Sequence, residues 1–273
     1  VSLFNKLLII ATVLGLLFPG PGMAVAAFAI VPLALSMFFS LLSSKQKVGL
    51  ELGGVKIGII YNYIVLTGSL LLASLFMPPG LKQGLIMYAI FPPAILVLVV
   101  GRQWGGKTHE VFVFQMLSYA LSVLLIPLAA YLLLGGAVNT GALLIELVLA
   151  FILPGALSLL IEVKDKELAA HASSVFLAIL IYIMIAESQP WIIANWAELA
   201  IFMVPLAALN AAVGYAAFRL TKDPDATLYS MFKNGGAAAA VSIGVFPPAA
   251  IAMLSAKTVI DTCLVLGFGR LWK

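Results

Sequence analysis

The sequence predicts an all-α polytopic membrane protein of ten transmembrane helices, on three observations. First, 63% of its 273 residues are hydrophobic and only 10% are charged, whereas a soluble domain is about half apolar and a quarter charged. Second, apolar runs of about 18 residues or more recur from end to end, each long enough to cross a hydrocarbon core of roughly 30 Å. Third, the basic residues fall on alternate connections. In lipid every backbone N–H and C=O needs an internal partner, so such spans are helices.

The predicted spans are about 4–19, 23–43, 57–77, 83–100, 110–134, 139–161, 168–187, 196–218, 226–245 and 247–269. The first has Lys6 ahead of an apolar run, as a signal peptide does. It ends in FPGPG rather than a small-residue cleavage site, so it reads as a span. The chain starts at Val1, as expected of a sequence whose first residues are not included. The third span carries Tyr61, Asn62 and Tyr63 near its inner end, where they can line a cavity, and the fourth carries Pro92–Pro93 at mid-span. The sixth contains Pro154–Gly155, and the ninth contains Gly235–Gly236 with Pro247–Pro248 just after it. Trp191 and Trp196 fit an outer aromatic belt.

Charge orients the spans. With both termini inside, the inner segments hold Lys6, Lys45, Lys47, Lys56, Arg102, Lys107, Lys164, Lys166, Arg219, Lys222, Arg270 and Lys273. The outer loops hold only Lys82, a strong positive-inside bias. The expected location is the cytoplasmic membrane, N-in and C-in, with the lipid bilayer as partner; the oligomeric state is left open by the sequence, a monomer being compatible with it. The net charge of +4 is spread over short loops, which excludes a nucleic-acid-binding face. Cys263 is the only cysteine, so no intrachain disulfide forms.

The sequence predicts an internal repeat. LLIIATVLGLLFPG in the first span resembles LLIELVLAFILPG in the sixth. Five spans separate them, and five is odd, so the halves 1–134 and 139–273 would lie inverted in the membrane. Five-plus-five inverted repeats build many secondary transporters, and paired interruptions in corresponding spans mark their binding sites. Pro92–Pro93 in the fourth span and Lys233–Asn234–Gly235–Gly236 in the ninth are such a pair. Proline removes a donor and clashes with the preceding turn. Two glycines in a row weaken a helix by about 1 kcal/mol each.

An ionisable side chain at mid-bilayer costs roughly 2.5–3.5 kcal/mol on insertion scales. Glu146, Lys233, Lys257 and Asp261 lie inside predicted spans. Lys257 and Asp261 are spaced i, i+4 on one face, so they form either a self-neutralised pair or a relay for protons or substrate. Glu146, in the outer third of the sixth span, reaches headgroups or carries protons. Lys233 sits at a break, which survives in a membrane only where it is buried in protein or lines a wet cavity. A half-helix restarting at Ala237 would aim its positive end into that cavity, favouring an anion. His109 and His171 lie near inner boundaries and read as interfacial rather than catalytic. Arg102, Lys107 and Glu110 read as interface anchors or as groups that admit substrate.

These motifs resemble the bile acid:sodium symporter family, within the wider bile/arsenite/riboflavin transporter superfamily that includes auxin efflux carriers. The resemblance covers nearly the whole chain. It is carried by FP closing the first span, SMFFSLL in the second, FPPA in the fourth, Ser118, Ser122 and Pro127 in the fifth, and KNGGAAAA with FPPAA near the end. It implies two inverted five-helix repeats forming two bundles. A panel comprises the first, second, sixth and seventh spans, and a core comprises the third to fifth and eighth to tenth. The fourth and ninth spans unwind and cross in the core, and substrate binds in the crevice between bundles.

The departures are specific. The family's ninth-helix pattern Glu-x-Gly-x-Gln-Asn puts Tyr229 at the Glu position and Lys233 at the Gln position, and only Asn234 agrees. The fourth-helix Ser-Asn pair falls on Val97 and Leu98, and an oxygen ligand of the fifth on Gln115. A hard cation needs several oxygen ligands, so the sequence argues against Na⁺ coupling, and neither a cofactor nor a resident metal is expected. The Lys233 ammonium is instead expected to stand in for sodium, holding the crossing through carbonyl oxygens and Asn62, which matches a polar position on the family's third helix. If it releases its proton in one facing state, transport is proton-coupled. Otherwise the protein is an exchanger or uniporter.

The expected function is therefore secondary transport of a small organic solute, an anion on the helix-terminus argument, through Lys233, Asn234, Gly235, Gly236, Pro92, Pro93, Asn62, Gln115, Ser118 and Tyr229. The alternatives are a Na⁺ symporter with altered ligands, an auxin-efflux-like exporter, and a receptor or scaffold that keeps the fold without transport. An enzyme is not expected. The sequence has no Ser-Gly nucleophile with an intramembrane His, no GxGD acid pair and no HExxH.

Overall fold

The computed structural model describes residues 3–44, 55–94, 97, 100, 108–135 and 138–268. Everything regular in them is helical, and no strand occurs among the described residues. Near the N-terminus lie α1 (Leu3–Leu17), α2 (Pro19–Ala24), a 3₁₀ turn (Ala26–Phe28) and α3 (Ile30–Ser44). Then come α4 (Val55–Ile60), a π-helical segment (Tyr61–Leu66), α5 (Thr67–Ser74), α6 (Pro79–Ile90) and α7 (Thr108–Leu134). The second half holds α8 (Thr140–Leu147), a π segment (Val148–Ile152), α9 (Leu153–Leu160), α10 (Lys166–Ala194) and α11 (Trp196–Thr221). It ends with α12 (Pro224–Met231), α13 (Gly235–Ser242) and α14 (Pro248–Phe268).

Local chemistry sets these boundaries. Pro19, Pro79, Pro224 and Pro248 open helices, where their missing N–H costs nothing. Asn139, Asp165, Asp223 and Asn234 cap helices by accepting first-turn N–H groups. Lys222, at φ 54°, closes α11 in the left-handed conformation. The seventh predicted span ended at 187, but α10 runs on to Ala194 through Pro190. Pro127 and Pro205 also lie inside continuous helices. Proline kinks a transmembrane helix without ending it when neighbours re-satisfy the freed carbonyl.

Among the described residues, seven continuous helical stretches are long and apolar enough to cross a bilayer: Ala26–Ser44, Lys56–Ser74, Phe112–Leu134, Thr140–Leu160, Lys166–Ala194, Trp196–Thr221 and Pro248–Val265. The ten-span expectation differs at three places. Only Lys6–Leu17 of the first segment qualifies as an apolar helix, and it is short. The fourth and ninth segments are interrupted. An eight-residue half-helix such as α12 or α13 spans only about 12 Å at 1.5 Å per residue. Most of the far half of the fourth span lies outside the described residues.

The polarity is inverted relative to a water-soluble protein. Leu124, Leu132, Ile201 and Val204 are each about 70% exposed, while Asn62, Gln115, Asn210 and Lys257 have no exposed surface. Apolar surface turned outward over helices of this length is a lipid-facing surface, so the chain is a multi-pass membrane protein.

Two groups of helices pack internally. In one, α10 lies against α1, α2 and α3, and α3 against α9. Ser36 and Ser173 exchange hydroxyl-to-carbonyl hydrogen bonds of 3.1 and 2.9 Å across the α3–α10 contact. In the other, α14 packs on α6, α11 and α13, and α12 on α4 and α11. Here backbones come close: a Cβ on Gly84 would lie 2.5 Å from the Ala250 carbonyl oxygen, and one on Gly58 2.8 Å from that of Ala226. Small residues at membrane helix contacts permit this approach. The groups meet where α10 crosses α14 and where α7 meets α8.

Candidate functional site: two broken helices and a buried lysine

Helix α6 stops at Ile90 and α12 stops at Met231, each followed by extended residues (Phe91 ψ 152°, Phe232 ψ 132°). The two breaks lie antiparallel, with Pro93 bridged to Lys233. Ala94 N donates to Phe232 O at 3.4 Å and Asn234 N to Pro92 O at 2.8 Å. The unwound backbones thus satisfy each other, as a buried break requires. Proline fits here because Pro92 supplies a carbonyl and no donor is asked of its nitrogen.

Side chains satisfy most of the rest. Asn62, in the π segment, donates from Nδ2 to Tyr229 O (2.9 Å) and Phe232 O (3.1 Å). Gln115 on α7 donates to Pro93 O at 2.7 Å. Ser118, one turn on, shares a 2.8 Å hydrogen bond with the Tyr229 hydroxyl. Asn234 caps α13 by accepting from Ala237 N at 3.0 Å and reaches Tyr119 Oη at 3.4 Å. These contacts bring Asn62, Pro92, Pro93, Gln115, Ser118, Tyr229, Lys233 and Asn234 to one crossing, with Gly235 and Gly236 opening the half-helix beside it. That half-helix begins at Gly235, two residues earlier than the expected Ala237, because Asn234 supplies the cap.

Lys233 corrects the sequence reading of its contacts. The residue is 2% exposed, yet Nζ has no hydrogen-bond partner among the described residues. It lies 4.7 Å from the centroid of the Tyr63 ring. The ammonium therefore does not hold the crossing through carbonyls. Asn62 and Gln115 do that with neutral amides, whose two N–H groups and planar shape suit closely spaced carbonyls. Tyr63, half-buried, borders a cavity of about 210 Å³ that also contains Thr67, Ser118 and Ser122.

A second polar cluster abuts the crossing, and only its ion pair was anticipated. Lys257 and Asp261 on α14 pair as their spacing predicts. The Tyr88 hydroxyl donates to Asp261 and accepts from Lys257 Nζ (3.2 Å) and from the backbone N–H of Lys233 (3.2 Å). Asn210 on α11 donates to Asp261 Oδ1 (3.0 Å) and to Met231 O (2.8 Å). Tyr88 and Asn210 thus tie the ion pair to the ninth-span break. One sequence signal could have found Tyr88: YAIFPPA (88–94) and YSMFKNG (229–235) align, placing a buried tyrosine three residues before the phenylalanine of each break.

Glu146 is half-buried, with one carboxyl oxygen enclosed and without a partner among the described residues. Trp196 is exposed, whereas Trp191 packs partly against the core. His171 is exposed and Val97 buried. Leu98, Arg102 and Lys107, and the side chains of His109 and Glu110, lie outside the described residues.

The two glycines differ. A Cβ on Gly235 would stand 2.4 Å from Thr258 Oγ1 and 3.2 Å from the Tyr88 ring, whereas one on Gly236 meets nothing nearer than 3.5 Å. Gly235→Ala should therefore cost about 1–3 kcal/mol, the range for overpacking, while Gly236→Ala should be close to neutral. Thermal unfolding of the purified variants checks the contrast, and equal effects would refute it.

No protein-family model matches the chain, and no curated protein matches it.

Proposed function

We propose that the chain is a secondary transporter of the bile acid:sodium symporter type that moves a small organic solute across the cytoplasmic membrane by alternating access. The reading comprises two inverted repeats, 1–134 and 139–273, with N and C termini inside. The observation that carries it is the antiparallel pairing of two interrupted helices at Pro93 and Lys233. Irregular backbone at membrane depth survives where it is buried or lines a cavity, and transporters use such paired breaks as binding sites. The aligned YAIFPPA and YSMFKNG segments support the repeat. The separate packing of α1, α3, α9 and α10 supports a panel moving against a core. Two cavities, of about 40 and 210 Å³, lie along the boundary where Ile181 of α10 faces α14.

In this reading the Lys233 ammonium supplies the charge that sodium supplies in the family. Among the described residues no acceptor or counter-charge pairs with Nζ, so its charge is free to change with the facing state. A lysine that releases its proton on one side and regains it on the other couples solute movement to protons. Enzymatic chemistry has no part in the proposal.

Reconstitution in liposomes tests it. A panel of radiolabelled small organic acids and amines would be offered under an imposed pH gradient, with and without Na⁺. Uptake should follow the pH gradient and ignore Na⁺. The Lys233→Gln variant should lose the pH dependence. Unchanged uptake and pH dependence would remove Lys233 from the mechanism, and no uptake of any solute by the wild type would refute transport.

A further inference from the structure

The cavity of about 40 Å³ between α10 and α14 has a specific chemistry. It is bordered by Thr258, Asp261 and Thr262, at i, i+3 and i+4 on one face of α14, and by Leu177 and Ile181 of α10. Both threonine hydroxyls already spend their protons on their own helix, Thr258 on Leu254 O (2.8 Å) and Thr262 on Thr258 O (2.9 Å). Each Oγ1 can therefore only accept. Asp261 accepts from Lys257 and Asn210 on Oδ1 and from Tyr88 on Oδ2. A carboxylate has about four acceptor positions, so one remains, on Oδ2.

Lys257 does not border the cavity. Lys233 does, beside Asn234, Gly235 and Gly236, but its ammonium stands over the ring of Tyr63, which is not part of the lining. The α14 face thus offers three acceptors and no donor. An –NH₃⁺ group has three donors and no acceptor. The space also suffices: about 10–15 Å³ of such volume holds one water, and an ammonium is of similar size. Sharing Ile181 and Thr262 with this cavity is the second one, of about 210 Å³, walled by Leu8, Ile9, Val13 and Val259.

We propose that the small cavity is the head-group subsite for an organic primary ammonium, with an apolar body in the adjoining cavity. It differs from the anion expected from the sequence, which rested on the half-helix N-terminus and on Lys233. The ammonium can belong to a simple amine or to an amino acid, whose carboxylate would offset the partial positive charge of the α13 N-terminus at Gly235–Gly236. The inference rests on the transporter reading for the ligand's movement but not for its binding.

Three probes share one branched body: 3-methylbutylamine, L-leucine and 4-methylpentanoate. Their effect on thermal unfolding of the full chain in detergent reads the head group. The amine or leucine should raise Tm at millimolar concentration and 4-methylpentanoate should not. Thr262→Val, isosteric and only half-buried, should weaken the binding probe about tenfold, the loss of one hydrogen bond to a charged group. Asp261→Asn should weaken it further, and Thr262→Val keeps the test open if that variant does not fold. Stabilisation by 4-methylpentanoate equal to the others, no stabilisation by any probe, or an unchanged response in Thr262→Val would each overturn the subsite. Binding without flux in liposomes would keep the subsite and refute transport. Flux of the amine or leucine that Thr262→Val leaves unaltered would keep transport and overturn the subsite.

Discussion

Lys257→Met should lose about 3–5 kcal/mol of stability, and adding Asp261→Asn should restore most of it. Removing one member of a buried ion pair leaves a charge without compensation, which costs about that much, whereas neutralising both members is often near neutral. Lys257 is fully buried and Asp261 5% exposed, so solvent cannot rescue the survivor. Asparagine keeps an oxygen to accept from Tyr88. Asn210 keeps its bond to Met231 O. Thermal unfolding of both single variants and the double variant gives the coupling. A Lys257→Met variant as stable as wild type would show that the pair does not hold the core together.

Lys233→Met should have the opposite sign and stabilise the protein by about 2 kcal/mol. An ammonium taken out of water without a partner costs several kcal/mol. The Tyr63 ring returns about 2 kcal/mol in a desolvated site. No carbonyl at the crossing takes a hydrogen bond from Nζ among the described residues, so the methionine strands none. A more stable variant that has lost pH-dependent uptake would mark Lys233 as a residue kept for function at the expense of stability. A destabilised one would mean that Nζ has a counter-charge or a hydrogen-bond acceptor after all.

How much was legible varies by element. Span α10 was legible because hydropathy reports length, but its end was missed because proline inside lipid does not stop a helix. The breaks were legible at Pro92–Pro93 and Asn234–Gly235, where backbone chemistry is local. The π segment holding Asn62 was not, since nothing in YNYIVL departs from an ordinary apolar helix. The Lys257–Asp261 pair followed from i, i+4 spacing. Its link to the ninth-span break did not, because Tyr88 and Lys233 are 145 residues apart in the chain.

By itself, the sequence determined that this chain lives in a membrane, where its apolar runs lie, and where two helices cannot continue, because solvation and backbone sterics act on neighbouring residues. Only the tertiary structure decided which groups satisfy the freed carbonyls. It gave that task to Asn62 and Gln115 and left the Lys233 ammonium over an aromatic ring. Hydrogen bonds to unwound backbone depend on which side chains other helices bring within about 3 Å, and no single stretch of sequence encodes that.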